Sequence, residues 1–281
     1  MVERLKVAIE EARKRRAQQA GAVKERAEVP TAQDDGATAL WDSLEVLEMD
    51  PVMLQRERIV TFQKSDPAHA AFDMLRTRLV KLATDQGLRR IGISSATKGC
   101  GKTVVSANLA FSFARSPDLR TVLVDLDTRS PRFSRIVGLR DRRSIRWLLN
   151  GSVPPEQYLQ RVAPRLAVAL NGEVTHDSAE LLQSREVASV LMDIETALEP
   201  DIVLYDLPPL LAGDEAVSFV PHLDAVLLVA ASGQTRPDQI EECESLLGDD
   251  VNMLGVILNK ANPSIEHNYY YDYGYGYGEK D

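Results

Sequence analysis

Nine consecutive residues, Ser95-Ala96-Thr97-Lys98-Gly99-Cys100-Gly101-Lys102-Thr103, limit what this chain can fold into more than any other stretch. They follow the apolar run Ile91-Gly92-Ile93-Ser94, which reads as a buried strand. They precede Val104–Ala114, whose apolar residues recur at helical spacing. Strand, glycine loop and helix in that order make a phosphate cradle. The loop turns backbone N–H groups toward an anion, and the helix N-terminus adds a favourable dipole. Gly99 and Gly101 allow backbone shapes that a Cβ would block. Lys102 can reach the terminal phosphates of a nucleotide, and the Thr103 hydroxyl can ligate Mg²⁺. Thr97, Lys98, Cys100 and Val104 complete the set expected around the ligand. The generic spacing G-x-x-x-x-G-K-[ST] is broken once, because Ala96 stands at its first glycine.

Two further strand ends carry carboxylates. Thr121–Asp125 is apolar and β-branched, and it leads into Leu126-Asp127-Thr128-Arg129. If the strand continued to residue 127, Asp125 and Asp127 would share a face. Ile202-Val203-Leu204-Tyr205-Asp206 is a second apolar run ending in aspartate, stiffened afterwards by Pro208 and Pro209. Ligands of open α/β sheets bind beside the C-terminal ends of strands. Carboxylates there suit two tasks, holding hydrated Mg²⁺ and accepting a proton from a hydroxyl nucleophile. The alternative for Asp125 and Asp127 is a turn or helix cap.

The rest of the chain alternates in the same way. A helix is expected from Asp66-Pro67 to about Thr84, with Ala71, Phe72, Leu75, Leu79 and Leu82 on its buried face. Further expected elements are a helix at Ser144–Asn150, a strand at Leu166–Leu170 and a long helix at Ser178–Leu198. A strand at Ala225–Ala230, a helix at Asp238–Leu247 and a last strand at Met253–Leu258 complete the pattern. Asn259, just past that strand, is expected near a nucleotide base. The pattern predicts a doubly wound, mostly parallel α/β sheet with helices on both faces. The expected domains are a helical and linker extension over 1–59, a nucleotide domain over 60–263 and a tail over 264–281.

A net charge of −9 over 281 residues disfavours general nucleic-acid binding. Cys100 and Cys243 form no disulfide framework or zinc spacing, which suits a reducing compartment. The four histidines are scattered and suggest no metal cluster. No apolar run is long enough to cross a bilayer, and the N-terminus lacks a signal-peptide core. Residues 2–20 read as an amphipathic helix with Leu5, Ile9 and Ala12 on one face, either docking or solvated. Trp41, Leu44 and Leu47 are candidate anchors onto the main body. Arg129, Arg132, Arg135, Arg140, Arg142, Arg143 and Arg146 form a basic stretch for an acidic neighbour, a phosphate or solvent. Cys100, beside Lys98 and Lys102, would obstruct phosphates if oxidised.

The C-terminus differs from everything before it. Tyr269, Tyr270, Tyr271, Tyr273, Tyr275 and Tyr277 alternate with glycine and Asp272. Such a composition cannot build a core, and it reads either as low complexity or as a tethered set of phenol nucleophiles.

Taken in order, the phosphate loop, the Asp125-x-Asp127-x-Arg129 strand end, the Asp206-x-Pro208-Pro209 turn and the tyrosine cluster resemble the bacterial tyrosine kinase family of capsule and exopolysaccharide assembly. The resemblance covers roughly residues 60–281. It implies that ATP binds over Gly99–Thr103 and that Lys102, Asp125, Asp127, Arg129 and Asp206 are catalytic. It implies Thr103, Asp127 and Asp206 around Mg²⁺, and tail tyrosines phosphorylated between neighbouring subunits. It further implies a membrane-embedded polysaccharide co-polymerase as partner, a homo-oligomer, and a cytoplasmic protein held at the inner face of the membrane. Two features depart from the family. Its subunit-joining Glu-x-x-Arg-x-x-Arg helix reads Ala70-x-x-Asp73-x-x-Arg76 here, and Lys98 replaces a usual proline. The competing reading is an ATPase switch of the MinD/ParA type, which carries an extra lysine where this chain has Thr97. A weakly catalytic nucleotide-bound scaffold is the third.

Overall fold

The computed structural model describes residues 34–62, 66–138, 143–175, 177–249 and 251–261. The expected helix at 2–20, Arg140, Arg142 and the tyrosine tail lie outside the described residues. All that follows belongs to the unit beginning at Gly36.

Eight strands form one sheet: β1 (Glu45–Val46), β2 (Arg90–Ser95), β3 (Thr121–Asp125), β4 (Gln160–Ala163), β5 (Leu166–Ala169), β6 (Ile202–Asp206), β7 (Ala225–Ala231) and β8 (Asn252–Asn259). Their spatial order is β1-β4-β5-β3-β6-β2-β7-β8. Only β4 and β5 pair antiparallel. The sheet is therefore the mostly parallel, helix-covered one that the alternating pattern predicts.

The buried apolar side chains divide between its two faces, as period-2 alternation requires. Val122, Val124, Val203 and Tyr205 join one cluster with Ile194, Leu198 and Phe219 of the covering helices. Leu123, Ile202, Leu204, Ile91 and Ile93 join the other, with Leu79, Leu109 and Phe113. The helix Lys102–Ala114 is buried nearly all round, which explains its almost unbroken run of small and apolar residues.

Several expectations are refined. The helix expected from Asp66 runs His69–Gln86 and buries Leu79 and Ala83. Ala71, assigned to the buried face, is exposed. The single long helix expected at 178–198 is two, Ser178–Leu182 and Arg185–Leu198. The segment 34–59 is more than a linker. Trp41 and Leu44 are buried in the core, the Trp41 indole donates to the Leu198 carbonyl at 2.7 Å, and β1 extends the sheet.

On the His69–Gln86 helix, Asp73 is committed within the chain. Its Oδ1 accepts from Ser112 Oγ at 2.8 Å and forms ion pairs with Arg76 and Arg115. One of the two residues that break the family's subunit-joining pattern thus fastens this helix to the neighbouring helix Lys102–Ala114.

Candidate active site

β3, β6 and β2 lie side by side, so their C-terminal ends converge. Register sets the partners: Asp125 lies opposite Asp206, and Asp206 opposite Ile93. From the end of β2 the loop rises through Gly99 (φ +83°) and Gly101 (φ +89°) into the helix that starts at Lys102. Gly101 is required twice over. Its φ is one that L side chains rarely adopt, and a Cβ there would sit 2.3 Å from the Asn259 amide nitrogen.

Under this loop lies a buried charge cluster. Lys102 Nζ donates to Asp127 Oδ2 at 2.7 Å and stands 3.6 Å from Asp206 Oδ1. Ser106, one helical turn past Lys102, donates to Asp206 Oδ1 at 3.0 Å. Burial pushes the Lys102 ammonium down, but the carboxylates of Asp206 and Asp127 outweigh it and hold it above the ordinary lysine value. Burial drives the Asp125 carboxyl well above the usual carboxylate range, and facing Asp206 adds to the rise. Asp206 is raised for the same first reason, against the pull of Lys102.

β3 ends at Asp125, so the shared-face geometry for Asp125 and Asp127 does not arise. Asp125 Oδ1 accepts the backbone N–H of Asp127 at 3.1 Å, and the chain turns there. Asp125 is wholly buried, whereas Asp127 lines a cleft of about 490 Å³. Lys98, Gly99, Gly101, Lys102, Thr103 and Val104 form one side of that cleft. These six expected residues are brought together as the loop reading requires.

Besides the buried Asp125 and Asp206, four further expected site residues lie off the cleft. Thr97 does not line the cleft, and its carbonyl accepts from Ser95 Oγ and Cys100 Sγ. Cys100 is 1% exposed, with its thiol against the Thr97 carbonyl and Thr235 rather than the cleft. Burial raises its thiol, yet those hydrogen bonds bring it below the usual cysteine value. It is therefore not the accessible thiol that a redox switch on the loop needs. Asn259 spends its amide on the loop: Nδ2 donates to the Cys100 carbonyl at 2.8 Å, and Oδ1 accepts from Lys260 N. Lys260 lines the cleft in its stead. Arg129 also lies off the cleft, its Nε paired with the buried carboxylate of Glu215. Missed by the sequence reading as site residues are Glu57, Ser130, Arg132, Arg135, Ile136 and Pro209, which line the cleft. The basic stretch was the one signal for the two arginines.

The donor set suits a hard cation. Asp125 Oδ2 and Asp206 Oδ2 are buried without a hydrogen-bond partner among the described residues, and the Thr103 hydroxyl is adjacent to Lys102 Nζ at 3.4 Å. Oxygen donors of this kind fit Mg²⁺. Among the described residues no group of three His, Cys, Asp or Glu side chains forms a cage of its own. A Mg²⁺ here would complete its shell with water and phosphate oxygens, as that ion commonly does.

Residues 91–273 match the CobQ/CobB/MinD/ParA nucleotide binding domain. Tyrosine-protein kinase YwqD of Bacillus subtilis is 29% identical over 221 residues, 77% of this chain and 92% of that protein. Putative tyrosine-protein kinase EpsB of Ralstonia solanacearum is 32% identical over 201 residues, 71% of this chain but 26% of that longer protein. The kinase domain of Escherichia coli tyrosine kinase ETK superposes with a TM-score of 0.65 at 25% identity, covering 79% of this chain and 85% of that one. The chain belongs to this nucleotide-binding family, on its bacterial tyrosine-kinase branch. Like ETK, this bacterial tyrosine-kinase chain carries the mostly parallel sheet of the nucleotide-binding fold. Among its described residues no helix is long and apolar enough to cross a membrane.

In this tyrosine-kinase chain the loop geometry makes a direct prediction. Gly101→Ala is expected to weaken nucleotide binding about tenfold or more, because forcing a Cβ into a left-handed residue costs about 1–2 kcal/mol before any clash. Titration with a fluorescent ADP analogue reads it. Adding Asn259→Ala should relieve the clash but not the φ, and so restore only part of the affinity. Wild-type affinity in Gly101→Ala would contradict this account.

Proposed function

We propose that this chain is an ATP- and Mg²⁺-dependent protein-tyrosine autokinase acting in exopolysaccharide or capsule assembly. Its substrates are its own tail tyrosines, Tyr269 to Tyr277, phosphorylated between neighbouring copies. The observation that carries the proposal is the buried lysine between strand-end aspartates: Lys102 lies 2.7 Å from Asp127 and 3.6 Å from Asp206 under a glycine loop. The names of the relatives, tyrosine-protein kinases, agree with it.

With nucleotide bound, the Lys102 ammonium would exchange its carboxylate partners for the β- and γ-phosphates. That exchange frees Asp127, which lines the cleft, to accept the proton of an attacking phenol. The phenol oxygen bonds to the γ-phosphorus as the bond to the β-phosphate oxygen breaks, and ADP leaves. Asp125, wholly buried, fits an electrostatic role and not that of the proton acceptor. Mg²⁺, when bound, would neutralise charge on the phosphates, and Thr103 and Asp206 are the side chains to hold it while Asp127 takes the proton. Arg129, fastened to Glu215, fits the positioning of the turn that carries Asp127.

A membrane polysaccharide co-polymerase is the proposed partner, through its cytoplasmic segment, with the chain at the inner face of the membrane. Self-association is part of the reading, and by a route other than the helix on which Asp73 is committed. The test is intact mass before and after ATP and Mg²⁺. Phosphate additions confined to the tail are expected. Changing all six tail tyrosines to Phe should abolish the additions and leave ATP affinity unchanged within about twofold. Absence of additions even with the partner's cytoplasmic segment present would favour the ATPase switch or the scaffold.

A further inference from the structure

The phosphate loop, Lys98 and Lys102 account for a bound triphosphate; they do not account for the cleft wall supplied by the turn after Asp127. Arg132 and Arg135, from the turn and the short helix Phe133–Ile136, line that cleft together with Ile136 and Pro209. Both arginines are exposed, and neither has an ion-pair partner among the described residues. Among the described residues, the one other carboxylate lining the cleft besides Asp127 is that of Glu57. In a chain of net charge −9, two uncommitted guanidinium groups facing one cleft are a local reversal of sign.

Their chemistry names a ligand. Guanidinium groups bind carboxylates in a planar, two-point fashion that lysine does not reproduce. Ile136 and Pro209, both largely buried, add an apolar lining beside them against which a phenol ring fits. A peptide in which tyrosine stands next to acids offers both features at once. The chain's own tail is such a peptide: Tyr269, Tyr270 and Tyr271 run directly into Asp272, with Glu266, Glu279 and Asp281 nearby.

We infer that Arg132 and Arg135 form an acceptor subsite that selects tyrosines flanked by carboxylates. The inference rests on the kinase reading of the site for its purpose but not for its test, which measures binding as well as transfer. The protein is the full chain with its six tail tyrosines changed to Phe. The probes are a labelled peptide of residues 266–281 and its neutral counterpart carrying Glu266→Gln, Asp272→Asn, Glu279→Gln and Asp281→Asn. Anisotropy in the presence of Mg²⁺ and a non-hydrolysable ATP analogue is expected to show about tenfold tighter binding of the acidic peptide. The double variant Arg132→Ala, Arg135→Ala should reduce that preference to within about twofold with no change in affinity for the analogue. Arg132→Lys, Arg135→Lys should recover only part of it, because the planar fork is lost. The kcat/KM ratio for the two peptides should follow the binding ratio.

Loss of analogue affinity in the Ala double variant, with the peptide preference intact, would assign the arginines to the nucleotide and overturn the inference. Equal binding of the two peptides by the parent protein would overturn it as well. A binding preference without phosphate transfer would keep the subsite and refute the kinase reading.

Discussion

Lys102→Met is expected to lower phosphate incorporation into the tail by about 10³-fold, the scale for removing one preorganised charge from a developing oxyanion. The loss should fall mainly on kcat, because the lysine's bond to the transferring phosphoryl group strengthens as charge develops. The same change should also destabilise the unliganded protein, and the reason lies in the cluster. Among the described residues Lys102 is the one ammonium beside Asp125, Asp127 and Asp206, and it is 6% exposed. Breaking a buried ion pair from one side leaves its partner uncompensated, at a cost of about 3–5 kcal/mol. Methionine fills the volume but offers nothing to the 2.7 Å contact with Asp127. Urea unfolding should therefore show a lower midpoint at unchanged slope. Labelling within tenfold of wild type, or an unchanged midpoint, would remove Lys102 from its assigned position.

The parts of this site that were legible in the sequence are those set by local chemistry. Gly99, Gly101, Lys102 and Thr103 act through backbone shape and chain neighbours, so their spacing alone reports them. Asp125 and Asp206 could be read because each ends a run of β-formers, and the sheet then brings them into register. Asp127 could be found but not oriented. Its direction depends on where β3 stops, and β3 stops because the Asp125 side chain captures the Asp127 N–H. Asn259 was read as a contact to the nucleotide base, but it braces the loop instead, since its partner is the carbonyl of Cys100, 159 residues away. Trp41 likewise finds its acceptor 157 residues on. β1, of two residues, and β4, of four, are too short to carry a period. Glu57 left no signal, for it reaches the cleft only through the packing of the segment that carries it.

Asp125→Asn should move stability in the opposite direction from Lys102→Met while also impairing transfer. Three buried carboxyl groups face one ammonium, and the rise of the Asp125 and Asp206 carboxyls shows that the unliganded cluster resists carrying the surplus negative charge. Asp125 and Asp206 are register partners, and each has one buried oxygen without a hydrogen-bond donor. An asparagine amide keeps the acceptor for the Asp127 N–H and places a donor opposite the second carboxylate. Relief of an unsatisfied buried group of this kind is worth about 1–3 kcal/mol. For a domain of this size that raises the melting temperature by about 2–4 °C per kcal/mol. Mg²⁺ with ADP should then reverse the order. A ligand stabilises the folded state in proportion to its affinity for it, and the surplus charge is what attracts the cation. Wild type should gain more from Mg²⁺ and ADP than Asp125→Asn does, read as paired melting curves with and without ligand. Equal gains would mean that Asp125 contributes nothing to cation binding. A lower melting temperature for unliganded Asp125→Asn would mean that its charge is needed to balance Lys102. Opposite signs for Lys102→Met and Asp125→Asn together would identify the cluster as one whose stability is sacrificed to bind a cation and an anionic nucleotide.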